Sequence, residues 1–237
     1  LNSLYGASGT PYFRFFDLRI ALAITLSGKL AIQWIEDKLN KYMNGLLKTD
    51  GEDYVIASDT DSIYLNLAPL VGKTIKESNP DADDNTVIGF LDKICEAKLQ
   101  PYIDKSYQEL AGLVNAYAQK MIMKREALCN KGIWTAKKRY ILNVYNQEGV
   151  QYAKPEIKVM GLEVKKSSTP SFFREKMERC IEIVINESEE ALIDYIAQVK
   201  EDMRKVNVAD IAFPRGVNGI EQYTDTKTGL FVSATPI

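Results

Sequence analysis

The 237-residue sequence contains no histidine. That excludes His-based triads, His-ligated zinc and imidazole acid–base chemistry. Cysteine is scarce: Cys95, Cys129 and Cys180 are an odd number at no metal-ligand spacing. Such usage points to a reduced compartment rather than a disulfide framework. Long apolar runs are also lacking. The longest, "IALAITLSGKLAIQWI", is broken by Thr25, Ser27, Gly28 and Lys29, so a soluble helix is expected and no membrane span. There is no signal-peptide pattern. There is no initiating methionine either: the chain opens at Leu1 inside a motif-like stretch and stops at "SATPI". The expectation is a piece of something longer.

What is present is 46% hydrophobic and 26% charged, with a formal net charge of -2. That composition suits a globular chain with one large core or two smaller ones. Any chemistry must come from carboxylates, lysines, tyrosines or a hard metal ion. The charge is uneven. Lys131 to Ser168 holds eight Lys or Arg against three acids, a net +5, which leaves -7 on the rest. On charge alone, this segment suits either a surface facing a polyanion or an ordinary solvated sheet face.

Along the chain, "GASGTPYF" (Gly6 to Phe13) predicts a loop. A long helix follows, with Asp17 at its N-cap and a stripe of Ile20, Ile24, Gly28, Ala31, Ile35, Leu39 and Tyr42. "KTDGED" predicts a turn. "YVIAS", "DTDS" and "IYLNL" predict strand, tight turn, strand. An acidic loop at Lys76 to Asn85 precedes a helix from about Thr86 to Tyr117, reset near Pro101. "KMIMKREALCN" and "GIWTAKKRYILNVYN" predict strands, and "NQEG" a hairpin turn before a return strand. "SSTP" predicts a helix start with Thr169 at the N-cap and Pro170 at the first helical position. Two striped helices follow, and irregular chain from Asn207 onward.

Three stretches carry chemistry. In "VIASDTDSIYL", strand alternation would place Asp59 and Asp61 on one side of a hairpin tip. Paired carboxylates there suit Mg²⁺, although Asp-x-Asp also serves ordinary turns, and metal-dependent glycosyltransferases carry it too. In "TAKKRYIL", read as a strand, Lys138 and Tyr140 share one face with Trp134, and Lys137 and Arg139 share the other. Interleaved cations and aromatics suit a nucleic-acid backbone; guarding an edge strand is the plain alternative. In "LNSLYGASG", Asn2 and Tyr5 share a helix face.

Together, "NSLYG", "DTDSIY" about fifty residues later, and "KKRY" resemble, in that order, the family B DNA polymerases, most closely the replicative enzymes of large tailed phages. The resemblance implies an α+β fold: an antiparallel palm sheet with packed helices, then a mostly helical partial thumb. It implies the end of the fingers and a palm helix at 1–47, palm at 48–166 and partial thumb at 167–237. Asp61 matches a palm aspartate that ligates two Mg²⁺ ions, and Asp59 its less direct catalytic partner. Asn2 and Tyr5 match residues bordering the incoming dNTP. Lys137, Lys138, Arg139 and Tyr140 match the primer grip. Lys165, Lys166, Ser167 and Ser168, with Thr169, match contacts to the duplex backbone. Glu126 matches an acid near the palm metals; Lys124 stands where relatives carry another acid, and Ser58 where glycine is usual.

The resemblance implies equally what these residues do not supply. No "DxxSLYP"-type motif, which holds the first metal-binding aspartate, occurs in the sequence. The expectation is a polymerase fragment, inactive alone, acting on primer–template DNA and dNTPs beside a missing N-terminal part. Apolar palm surface left uncovered would favour self-association. A non-catalytic duplex-binding module is the alternative, and a glycosyltransferase is disfavoured by "KKRY" and "NSLYG". A phage origin would place the protein in the host cytoplasm.

Overall fold

A computed structural model describes residues 2–213, with 218–219, 224–225 and 227–229 beyond them. The fold is α+β, with a two-stranded and a three-stranded antiparallel sheet. Two compact units result. The first comprises Leu1–Asn130 and Val144–Pro155, the second Lys131–Asn143 and Glu156–Ile237.

In the first unit, α1 (Asn2–Ser8) runs through Gly6, so the predicted loop begins only at Gly9. Helix α2 (Leu18–Leu47) starts where expected. The Asp17 side chain accepts from the Arg19 backbone N–H at 2.9 Å, satisfying an open helix-end donor. Hydrogen bonds from Arg19 also hold the Asp17 carboxyl below the usual carboxylate range. Lys48, in left-handed conformation, ends the helix.

The predicted α2 stripe holds only in its second half. Ala31, Ile35 and Leu39 pack with Ile88, Leu91, Cys95, Leu99, Tyr107, Leu110 and Leu128 into the main core. Met43 and Leu47 join Tyr54 and Leu70 in a smaller one. Ile20 and Ile24 instead stand 51% and 48% exposed, and a Cβ on Gly28 would meet nothing within 4 Å. By length and composition alone, α2 is apolar enough to cross a membrane. Its second half, however, is the spine of this core.

Strands β1 (Val55–Asp59) and β2 (Ser62–Leu65) form the expected hairpin. A short helix α3 (Ala68–Val71) and a π-helical turn follow. Helix α4 (Asp84–Ile94) begins two residues before the expected Thr86, because Asp83 accepts from the Thr86 N–H. The reset near Pro101 is a π-helical turn at Cys95–Leu99, after which α5 (Gln100–Leu113) begins with the proline in its first turn. Helix α5 ends at Leu113, short of the expected Tyr117, and Val114 and Tyr117 are exposed. Trp34 donates to the Ser106 carbonyl at 2.8 Å, tying α5 to α2. Cys95 is buried in the main core, and burial pushes its thiol up to about 11.

The three-stranded sheet has β4 (Arg139–Gln147) between β3 (Ala127–Ala136) and β5 (Val150–Met160). Consecutive burial of Ile141, Leu142, Asn143 and Val144 means that both faces of the central strand are covered. The predicted strand at "KMIMKRE" is irregular chain instead. The "NQEG" turn is confirmed: Glu148 and Gly149 both have positive φ, as a two-residue hairpin turn requires.

In the second unit, α6 (Ser171–Asn186) packs with α7 (Glu189–Met203), and Lys176 pairs with Asp202 at 2.9 Å. The Lys131 ammonium donates to the Ile185 carbonyl at 2.6 Å. Ser188 caps α7. Thr169 is not the α6 cap: the helix starts one residue later, and the Thr169 hydroxyl donates to the Glu163 carbonyl at 2.7 Å. A short helix α8 (Val208–Ile211) occupies chain expected to be irregular. Most of the assigned thumb end beyond 213 lies outside the described residues.

Candidate polymerase and duplex-contact sites

The first-unit site is built on the β1–β2 hairpin. Asp59 pairs with Ser62, and Thr60 and Asp61 form the connecting turn. Asp61 therefore leaves the strand, so alternation along a strand does not set its direction. The turn is tight: the Asp61 N–H donates to the Asp59 carbonyl at 2.6 Å, and Thr60 has φ +54°. A β-branched residue there is strained by about 1–3 kcal/mol. Asp59 is half-buried and accepts from the Thr60 hydroxyl at 3.0 Å. Asp61 is exposed at the tip.

Glu126 is exposed, and its carbonyl accepts from the Glu148 N–H at 2.6 Å. Arg125, beside it, pairs with Asp92 and donates to Asn146 Oδ1 at 2.7 Å, anchoring this stretch to α4 and to the β4–β5 turn. Among the described residues, no three acids or cysteines come together as a metal-holding group. Asp59, Asp61 and Glu126 thus do not form one. Carboxylate oxygens are the donor type a hard cation such as Mg²⁺ takes, and this turn supplies two such side chains.

Asn2 and Tyr5 both lie in α1. Tyr5 lines an apolar groove of about 550 Å³ with Leu4, Ser8, Phe13, Phe15, Ile20 and Ile24.

The second-unit site is a hairpin tip rather than a continuous strand. Lys137 and Lys138 form the turn between β3 and β4, with Lys138 at φ +61°. The faces expected for "TAKKRYIL" therefore do not exist. Lys137 and Lys138 are exposed, and Arg139 and Tyr140 half-buried, at the start of β4. Gly161 lies against this turn, itself at φ +70°: a Cβ there would fall 2.0 Å from the Lys138 carbonyl oxygen. Only glycine permits that approach.

The Lys165–Ser168 stretch begins in a short 3-10 turn at Glu163–Lys165, and all four of its residues are exposed. Glu163 links it to the tip. One Glu163 oxygen, Oε1, lies 3.0 Å from Arg139 Nη2 and 3.0 Å from Lys166 Nζ. Lys165 pairs with Glu178 at 3.3 Å. Sequence reasoning named Arg139 and Lys166 but missed Glu163 and Gly161. The three-residue spacing of Glu163 and Lys166 was a visible signal; the contact with Arg139 was not.

No family model matches the chain. It is 42% identical to the DNA-directed DNA polymerase of Escherichia phage RB69 over 231 residues, which are 94% of this chain and 25% of that protein. It is 38% identical to the DNA-directed DNA polymerase of Enterobacteria phage T4 over 235 residues, 95% of this chain and 26% of that protein. The chain thus spans about a quarter of the length of these curated relatives. Similarity at this level over nearly the whole chain is consistent with a fragment of a family B DNA polymerase.

Proposed function

We propose that this chain is the segment of a DNA-directed DNA polymerase that carries one palm aspartate, the primer grip and the start of the thumb. The parent enzyme would add dNTPs to a primer 3′ end and release pyrophosphate. The observation that carries this reading is the Asp59–Asp61 turn, at the tip of a two-stranded hairpin, in a chain similar to phage polymerases. On this reading residues 1–47 are the end of the fingers with a palm helix, 48–166 the palm and 167–237 a partial thumb.

On this reading Asp61, exposed at the tip, would meet the cation, and Asp59, which accepts from the Thr60 hydroxyl, would be its less direct partner. Glu126 stands as a more distant acid. Bound there, Mg²⁺ would neutralise charge developing on the reacting phosphate and on the leaving oxygen. Asn2 and Tyr5 would border the incoming nucleotide. Lys137, Lys138, Arg139 and Tyr140 would hold the primer strand, and Lys165, Lys166, Ser167 and Ser168 the duplex backbone. Because these residues include no "DxxSLYP"-type motif, the chain alone would supply half the metal site and be inactive. The exposed apolar side chains of Leu22, Ile24, Leu26 and Leu30 favour a covering partner, whether the rest of the enzyme or a second copy.

A second reading, a non-catalytic duplex-binding module, is favoured by the +5 segment from Lys131 to Ser168. Both readings require duplex binding. If about six cations meet phosphates, the log–log slope of affinity against salt is expected to be about -5. Fluorescence anisotropy with labelled primer–template measures it. A slope near zero, or no binding at low salt, overturns both.

A further inference from the structure

Within the second unit, three of the cations assigned to the duplex already have acidic partners. Arg139 and Lys166 converge on one Glu163 oxygen, and Lys165 on Glu178. A carboxylate oxygen 3.0 Å from both a guanidinium and an ammonium has the surroundings of a phosphate oxygen. We propose that Glu163 occupies, in the free chain, the position a duplex phosphate takes between Arg139 and Lys166, and so restrains the affinity for duplex. The inference rests on the duplex-binding reading and adds a competing group to it.

The other possible role for Glu163 is scaffolding, and the geometry separates the two. The backbone here has anchors other than the carboxylate. The Glu163 carbonyl accepts from the Thr169 hydroxyl at 2.7 Å and from the Lys166 N–H at 3.0 Å. Gly161 seats the chain against the Lys138 carbonyl. Beyond a hydrogen bond from its own backbone, the carboxylate adds negative charge beside two cations. Hydrogen bonding from Lys166, then its own backbone and Arg139, holds Glu163 below the usual carboxylate range, so it is ionised at neutral pH. For a phosphate to reach Arg139 and Lys166, the carboxylate must swing away, and its charge then repels the backbone nearby. A scaffolding role gives weaker binding when the charge is removed; competition gives tighter binding.

The test is anisotropy with a fluorescein-labelled primer–template duplex from about 50 mM to about 300 mM salt. Glu163→Gln keeps the side-chain volume, and Glu163→Ala removes the group. Glu175→Gln, an exposed acid on α6, controls for net charge. Both Glu163 variants are expected to bind about fivefold tighter at low salt, with the gain shrinking as salt rises. Glu175→Gln is expected to change affinity less than about twofold. Far-UV circular dichroism checks that each variant is folded. If the wild type binds and the Glu163 variants bind equally or more weakly, or Glu175→Gln gains as much, the competition is overturned and duplex binding stands. If the wild type does not bind at low salt, the duplex-binding reading fails and this inference with it.

Discussion

Replacing Arg125 with alanine is expected to cost about 3 kcal/mol of stability. Arg125 is the hub of the largely buried polar cluster in the first unit. Its guanidinium pairs with Asp92 and donates to Asn146 Oδ1 at 2.7 Å, and that oxygen also accepts from the Gly149 N–H at 3.1 Å. The side chains of Arg125 and Asp92 are only 16% and 26% exposed, and Asn146 is fully buried. Truncation leaves the Asp92 charge without its cation, and Asn146 without one of its donors. Loss of a partner from a buried pair costs about 3–5 kcal/mol. The partial exposure of Asp92, and two members that are already unsatisfied, Arg125 Nε and Asn146 Nδ2, place this case at the low end. Urea unfolding followed by tryptophan fluorescence measures the loss. Because the cost lies in the stranded charge, Arg125→Ala with Asp92→Ala is expected to lose less than the sum of the two single variants. Additive losses would mean that the pair does not couple.

Asp61→Asn is expected to reduce primer extension by the assembled enzyme about 10³-fold, with duplex affinity and unfolding midpoint unchanged. The assembled enzyme is this chain together with a polypeptide that supplies the first metal-binding aspartate. Asp61 is exposed in the turn and outside the strand ladder, so replacement by the isosteric asparagine is expected to leave the fold intact while taking from the cation the ligand the proposed function assigns it. Asp59→Asn is expected to cost less catalytically and more structurally, since Asp59 is half-buried and accepts from Thr60. An Asp61→Asn enzyme that extends primers like the wild type would remove Asp61 from the metal site.

The elements that could be read from the sequence are those with local causes. Asp17 caps α2 because a side-chain oxygen reaches an open N–H two residues on. Glu148 and Gly149 turn β4 into β5 because glycine takes positive φ freely. The aspartate hairpin follows from two apolar runs around four polar residues. What could not be read has tertiary causes. The Lys137–Lys138 turn contains no turn-forming residue; its shape depends on Gly161, more than twenty positions later. The α2 stripe gave a helix face but not what covers it, so Ile20 and Ile24 were expected inside and lie outside. Of the candidate sites, the sequence named residues only through motif resemblance. The neighbours that set their state were not legible: Thr60 strained beneath Asp61, and Glu163 between Arg139 and Lys166.

On the proposed function, these residues supply half of a two-metal polymerase site. Primer extension by the purified chain tests it most directly, with Mg²⁺, dNTPs and labelled primer–template, in the presence and absence of the complementary polypeptide. No extension is expected from the chain alone, and extension is expected once the complement is added. Extension by the chain alone, lost on Asp61→Asn, would contradict it.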